Sequence, residues 1–226
     1  QAFHEIPVTR SGGIAVIISF SIFLVIYYLL YEKILYDYIF ISYSVFLVGF
    51  LDDLRININP FKRLIIMMLL LLIFINFLPI KILNIDIPLL TSLMSNHIFS
   101  SIFVLLCFLF VINGANLIDG FNGLLAINLI IINIILVYIN LNNANLEFSL
   151  LIISQIIILL SFLLFNFPKA KMFLGDGGAY LMGSLIALNI IITNNLNPNI
   201  PSFFFCTLLF YLFFEVFFSF FRKLLQ

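Results

Sequence analysis

The sequence predicts an all-α, polytopic membrane protein, and three observations carry that reading. Hydrophobic residues make up 64% of the chain and charged residues only 9%, where a soluble domain would be about a quarter charged. The apolar residues form continuous runs of roughly 17 or more, long enough to cross a hydrocarbon core, rather than the every-second-residue alternation of a barrel strand. Threading those runs through a bilayer also sorts the basic residues to one side.

Eight runs qualify. The first, 12–30, follows the polar stretch HEIPVTRS; the second, 34–51, contains Asp37 and is followed at once by Asp52 and Asp53. Pro60 introduces the third, 64–80, and the longest outer connection, 81–97, precedes the fourth, 98–118. That connection suits a small hairpin or an amphipathic helix. The fifth, 121–140, begins after an Asn/Gly-rich turn, and the sixth, 148–167, stops at Pro168. The seventh, 178–193, is short, and the eighth, 203–221, encloses Glu215.

With eight spans, Arg10, Arg55, Lys62, Arg63, Lys169, Lys171, Arg222 and Lys223 share one side, and only Lys33 and Lys81 face the other. The positive-inside rule makes the first side, with both chain ends, cytoplasmic. Cys107 and Cys206 fall inside spans and read as small apolar filler, not as a disulfide. The chain opens with Gln and stops at FRKLLQ, just past a span, which suggests a fragment of one membrane domain. The excess of Ile, Asn, Phe and Leu advises discounting individual asparagines.

The outer loops carry scattered polar residues, His97 among them, without local pattern. The inner loops differ. In VINGANLIDGFNGLLA, Asn113, Asn116, Asp119 and Asn122 recur every third residue with glycines between them. On a helix they would form a slowly winding polar stripe, and the glycines would admit another group close to the backbone. Asp119-Gly120 alone reads equally as a turn. Amides at membrane depth, however, face a cavity or one another and mark function.

NFPKAKMFLGDGGAYLMG supplies the next inner loop. Asp176 there suits either an N-cap or, with its glycines and two nearby lysines, a pocket for phosphate and a hard cation. Phe173 suits stacking on a flat base or anchoring at the interface. Arg55 and Arg63 read as headgroup-facing, and Lys62 is open between that role and a phosphate ligand. Asp52, Asp53, Asp119 and Asp176 thus reach the cytoplasmic surface from three connections. Together they suggest metal-assisted chemistry on a phosphorylated substrate beside the membrane, with a lipid as the second substrate.

These motifs resemble, in order along nearly the whole chain, the polyprenyl-phosphate N-acetylhexosamine-1-phosphate transferases of the MraY/WecA type. His4 to Gly13 is similar to the family's H-x-x-P-x-x-R-x-G-G stretch. Asp52-Asp53 with Lys62 resembles its aspartate-pair loop; NGANLIDGFNGL and FLGDGG resemble its two remaining motifs. The resemblance implies that a lipid phosphate attacks the β-phosphate of a UDP-N-acetylhexosamine, releasing UMP, with Mg²⁺ (or Mn²⁺) as cofactor. It implies Asn116 and Asp176 at the metal, and Asp52, Asp53 and Asp119 as catalytic. It places Lys62 at phosphate, and Asn113, Asn122 and Phe173 at the nucleotide.

The implied partners are UDP-N-acetylhexosamine, polyprenyl phosphate and the bilayer of a bacterial plasma membrane, with no nucleic acid and a homodimer left open. A lipid phosphate has a second pKa near 6, so it is mostly an unprotonated nucleophile at neutral pH. The aspartate pair is therefore expected to orient groups more than to remove a proton. Asn122 stands where many members have a second aspartate, which points toward enzymes that start O-antigen-like glycans. Glu215 stands where a late-span aspartate is common and reads equally as a buried, paired acid. The chain also ends before the family's His-rich sugar-contacting loop.

An ion-coupled transporter would place its acids near mid-bilayer. A prenyl-diphosphate transferase would want further aspartates after the first pair. Neither pattern is present.

Overall fold

The structure, a computed structural model, describes residues 8–54, 56, 59–78, 80–83 and 85–225. His4 and Arg55 lie outside the described residues. Within them are α1 (Gly12–Tyr31), α2 (Tyr36–Asp53), α3 (Pro60–Phe77), α4 (Pro88–Met94) and α5 (His97–Ile118). Then come α6 (Leu124–Asn142), α7 (Leu146–Asn166), α8 (Gly175–Leu196), α9 (Ser202–Leu208) and α10 (Phe210–Leu224). No sheet joins them; one isolated parallel bridge pairs Thr9 with Met172. The all-helical expectation holds, as a chain in lipid must satisfy its backbone within each segment.

Six helices, α1, α3, α5, α6, α7 and α8, are long and apolar enough to cross a bilayer, and α9 with α10 makes a seventh if the pair is one span. The chain is a multi-pass membrane protein. The run expected at 34–51 becomes α2, whose three acids, Asp37, Asp52 and Asp53, keep it out of that set. The continuous span expected at 203–221 is corrected: the helix bends by 63° between α9 and α10. Leu209 takes φ −89° and ψ 2°, outside the helical well, and interrupts the ladder. Neither proline nor glycine marks that break. The outer 81–97 connection holds the short helix α4 and no strand among the described residues.

At the centre lies α8, buried along nearly its whole length and packed against α1, α2, α5 and α6. Small residues permit these approaches, as in membrane helix pairs generally. A Cβ on Gly13 of α1 would sit 2.6 Å from Gly178 N, and one on Gly49 of α2 would sit 2.5 Å from Asp176 O. Gly183 lies against Ala115 and Ile112 of α5 in the same manner. Buried polar groups answer one another. Asn189 of α8 joins Tyr38, Gln155 and Asn133, and Asn140 joins Thr193 and Asn197 nearer the outer end. Individual asparagines in this Asn-rich chain therefore carry structure.

On the outer side, Asn195 holds the 81–83 backbone through Leu83 N–H and Lys81 O. Asp86 accepts from Ser202 N–H at the start of α9. Lys33 pairs with Glu147 at 2.7 Å. Cys107 and Cys206 are free thiols, as expected.

The glycine contacts yield a contrast. Gly49→Val must push α2 off the α8 backbone, and overpacking of this kind costs about 1–3 kcal/mol or more. Gly120→Ala meets nothing nearer than 3.8 Å and should be neutral. Melting temperatures of the detergent-solubilised variants check the pair; equal melting would contradict the packing.

Candidate active site

The inner ends of α2, α5 and α8 meet because α8 lacks a cap of its own. Its first N–H groups have no intrahelical acceptors, and Leu174 before it provides no side-chain bond. Asp53, at the last turn of α2, accepts from Asp176 N–H at 3.0 Å and Gly177 N–H at 2.9 Å. Asp119, just beyond α5, lines the same cavity as Gly175 at this helix start. The Asp53 carboxylate of α2 thus caps α8, with Asp119 beside it. Gly175 makes room: with φ at 77°, it holds a conformation few other residues adopt, and a Cβ there would lie 2.7 Å from Asp53 Oδ2.

Asp176 is then not the cap of its own helix. Its side chain turns outward to two arginines, with Arg63 Nη1 at 2.9 Å and Arg10 Nη1 at 4.0 Å. The same Arg63 nitrogen donates to Asp52 at 2.7 Å, and Arg10 lies 3.7 Å from Asp53. Carboxylates and guanidiniums therefore alternate from Asp52 through Arg63, Asp176 and Arg10 to Asp53. The Asp53 side chain is only 6% exposed, whereas Arg10 is 47% exposed.

Tyr180 completes the second layer. Its buried ring lies 5.5 Å below the Arg63 guanidinium, within cation–π range. Its hydroxyl is 3.5 Å from Asn116 Nδ2. Four residues after Asp176, it shares that residue's helix face.

A cavity of about 180 Å³ opens here, lined by Arg10, Asn116, Asp119, Gly120, Phe173, Gly175 and Asp176. The connection before α8 is built onto α1. Gly12 N–H donates to Phe173 O, Gly13 N–H to Leu174 O, and Phe173 N–H to Thr9 O. Asn166 stitches the other edge, accepting from Gly123 N–H and donating to Met172 O. Burial pushes the Asp119 carboxyl up to about 8. The charges of Asp176 and Asp53 add to that, against the Gly175 backbone N–H and Arg10.

Of the residues singled out by sequence, Asp52, Asp53, Asn116, Asp119, Phe173 and Asp176 come together. The even stripe does not form, because α5 ends at Ile118 and Asp119 begins the turn. Asn113 donates back to Leu109 O, and Asn122 donates to Pro168 O, so both side chains bond to backbone away from the cavity lining. Lys62 is exposed, while its neighbour Arg63 enters the site. The headgroup-facing reading of Arg63 is corrected: its position on the first turn of α3 turns it toward α2 and α8. Glu215, on α10, hydrogen-bonds Tyr211. Arg63, Tyr180 and Asn166 are the residues that motif reading missed.

No three His, Cys, Asp or Glu side chains converge as a cage among the described residues. Mg²⁺ requires none, since it binds through one or two carboxylates and fills its shell with water and phosphate oxygens. Asp176, Asp119 and the Asn116 amide, facing one cavity with two acids repelling each other, fit such a cation.

The model of glycosyl transferase family 4 matches residues 35–194. Over 80 residues the chain is 34% identical to a phospho-N-acetylmuramoyl-pentapeptide-transferase of Leuconostoc citreum (strain KM20), covering 35% of this chain and 25% of that one. Over 151 residues it is 28% identical to a protein of the same name from Streptococcus thermophilus (strain CNRZ 1066), covering 63% and 44% respectively. The chain therefore matches less than half the length of either relative.

The state of Asp119 has a measurable consequence. Its folded pKa, raised from 3.8 to about 8, means that the folded state holds the extra proton across that window. Stability falls as pH rises through the window. A divalent cation must displace the same proton. Mn²⁺ affinity should therefore rise up to about tenfold per pH unit toward pH 8 and then level, and Asp119→Asn should flatten the slope. Titration by electron paramagnetic resonance checks this; a pH-independent affinity in the unaltered protein would contradict it.

Proposed function

Because the chain belongs to glycosyl transferase family 4, we propose that it transfers an N-acetylhexosamine 1-phosphate from a UDP-sugar to polyprenyl phosphate. The transfer takes place at the cytoplasmic face of a bacterial plasma membrane and releases UMP. One observation carries the reading most directly: four carboxylates and two guanidiniums from separate parts of the chain meet beside a cavity at one membrane face.

In that reaction a lipid phosphate oxygen bonds to the β-phosphorus while the bond from that phosphorus to the bridging oxygen breaks. UMP leaves with the electron pair. Phosphoryl transfer depends chiefly on positioning and charge neutralisation. Phe173 would stack on the uracil, and Asn122 and Asn113 would reach the nucleotide by giving up their bonds to Pro168 O and Leu109 O. Asn116, Asp119 and Asp176 would hold a Mg²⁺ ion, which supplies charge neutralisation at the diphosphate. Arg63 would neutralise phosphate from the position where Asp52 and Asp176 hold it, with exposed Lys62 guiding the anion in.

The engagement of both Asp53 oxygens by α8 supports a positioning role rather than a basic one. Asp52, held by Arg63, would orient the lipid phosphate. For the donor we propose a simple UDP-N-acetylhexosamine such as UDP-GlcNAc, serving an O-antigen-like glycan. The neutral Asn122 favours this, whereas the names of the two relatives favour a muramoyl-pentapeptide donor.

Release of UMP from labelled UDP-GlcNAc and from the muramoyl-pentapeptide donor, with and without Mg²⁺, tests both readings in membranes containing the full-length protein. The expected outcome is Mg²⁺-dependent release with UDP-GlcNAc. Asp176→Ala and Asp53→Ala should each lower it by about 10²-fold or more. Arg63→Ala should approach the same loss, and Arg63→Lys should recover part of it. Near-normal turnover in either aspartate variant would overturn these assignments.

A further inference from the structure

Two attachments tie α2 to α8, and they lie far apart along both helices. At the inner end Asp53 caps α8. Near the outer end of α2, the Tyr38 hydroxyl donates to Asn189 Oδ1 at 2.7 Å, and both residues are buried. Tyr38 is fourteen residues before Asp52, and Asn189 is thirteen after Asp176. On either helix the outer attachment is therefore about 20 Å from the acids.

Asn189 is itself held from the side. Its Nδ2 donates to Gln155 Oε1 of α7 at 2.8 Å and to Asn133 Oδ1 of α6 at 3.3 Å. Tyr38 thus has an acceptor fixed by two further helices. Between the two attachments Gly49 lets the backbones close up, and buried Ser42 bonds back to Ile39 O of its own helix rather than to α8. Close backbone packing sets how near the helices lie but resists sliding less than a directional bond does. A slide of one residue is about 1.5 Å, enough to break the hydroxyl–amide bond.

We propose that Tyr38 and Asn189 are positioning residues, which fix the axial register of α2 on α8 while the inner end is loaded with charge. This rests on the transferase reading above. The inner cap is the attachment that loading disturbs: Asp53 is shared with Arg10 and lies beside the cavity that would take the diphosphate and cation. The outer bond is remote from all of those charges. On that reading α2 presents Asp52 to the lipid phosphate, while Asn116, Asp119, Phe173 and Asp176 belong to the α5–α8 side and serve the nucleotide sugar. The register of α2 on α8 is then the register of nucleophile on electrophile.

Tyr38→Phe removes one hydroxyl and keeps the ring. In membranes containing the full-length protein it should lower kcat for UMP release by about tenfold or more, since misplacement by 1 Å can cost about 10²-fold. KM for the UDP-sugar, and UDP affinity by calorimetry, should stay within about twofold. Asn189→Leu should behave alike, and the double variant should be no worse than Asn189→Leu alone. Asn140→Leu, which removes the separate bonds to Thr193 and Asn197 and touches neither Tyr38 nor Asn189, should lower the melting temperature and leave kcat in place.

Unchanged kcat in Tyr38→Phe overturns the proposal. So does a joint loss of kcat, UDP affinity and melting temperature in that variant, which would describe a structural role alone. A failure of the unaltered protein to release UMP overturns the transferase reading, and this inference with it.

Discussion

The carboxylate of Asp53 on the first N–H groups of α8 is the constraint on which the inner end is organised. A helix that starts in the middle of a bundle, at the boundary of water and lipid, needs acceptors for its exposed amides. Supplying them from α2 welds α2 to α8 at one point, with Asp119 beyond α5 beside the junction. It also frees Asp176 to face the cavity. The positive end of the α8 dipole then adds to the two arginines in holding a dense group of carboxylates together. Without it, the four acids would repel one another across a gap too small to share.

The fold class and most helix positions were legible in the sequence because hydrophobic length determines them directly. Asp52, Asp53, Asn116, Asp119, Phe173 and Asp176 were legible as a set, since polar residues ending apolar runs on one face must meet there. The assignment of partners was not. Arg63 reads like any flanking cation because its helix phase on α3 is invisible until α3 is placed against α2. Asn166 sits at the end of an apolar run and gives no sign that it will bridge two loops. The break at Leu209 arises where no proline or glycine stands, so nothing local announced it. Tyr180 offered a weak signal, four residues after Asp176, which a helical reading of FLGDGGAY would have exposed.

Polar groups within the bundle divide by depth and by kind. The network of four acids and two arginines sits at the inner surface, where water reaches it. Deeper down, the described helix-to-helix polar contacts use amides and hydroxyls: Asn133, Gln155, Asn189 and Tyr38, then Asn140, Thr193 and Asn197. Neutral groups give directional bonds without the desolvation cost of an ion. The bundle can therefore be rigid in its lower half while its inner surface remains electrostatically responsive.

The three glycines around Asp176 have a consequence for how such a chain can change over generations. Gly175 is filled by the Asp53 carboxylate, Gly177 by the α2 backbone at Phe50, and Gly178 by Gly13 of α1. Gly175 and Gly177 both face α2 and Gly178 faces α1, so a side chain at the first two displaces α2 and one at the third displaces α1. Drift at this junction is possible only in matched steps, with Gly13 and Gly178 moving as a pair and Gly175 bound to the fate of Asp53. In a chain otherwise free to exchange one aliphatic residue for another, the loop should stand as an island of slow change.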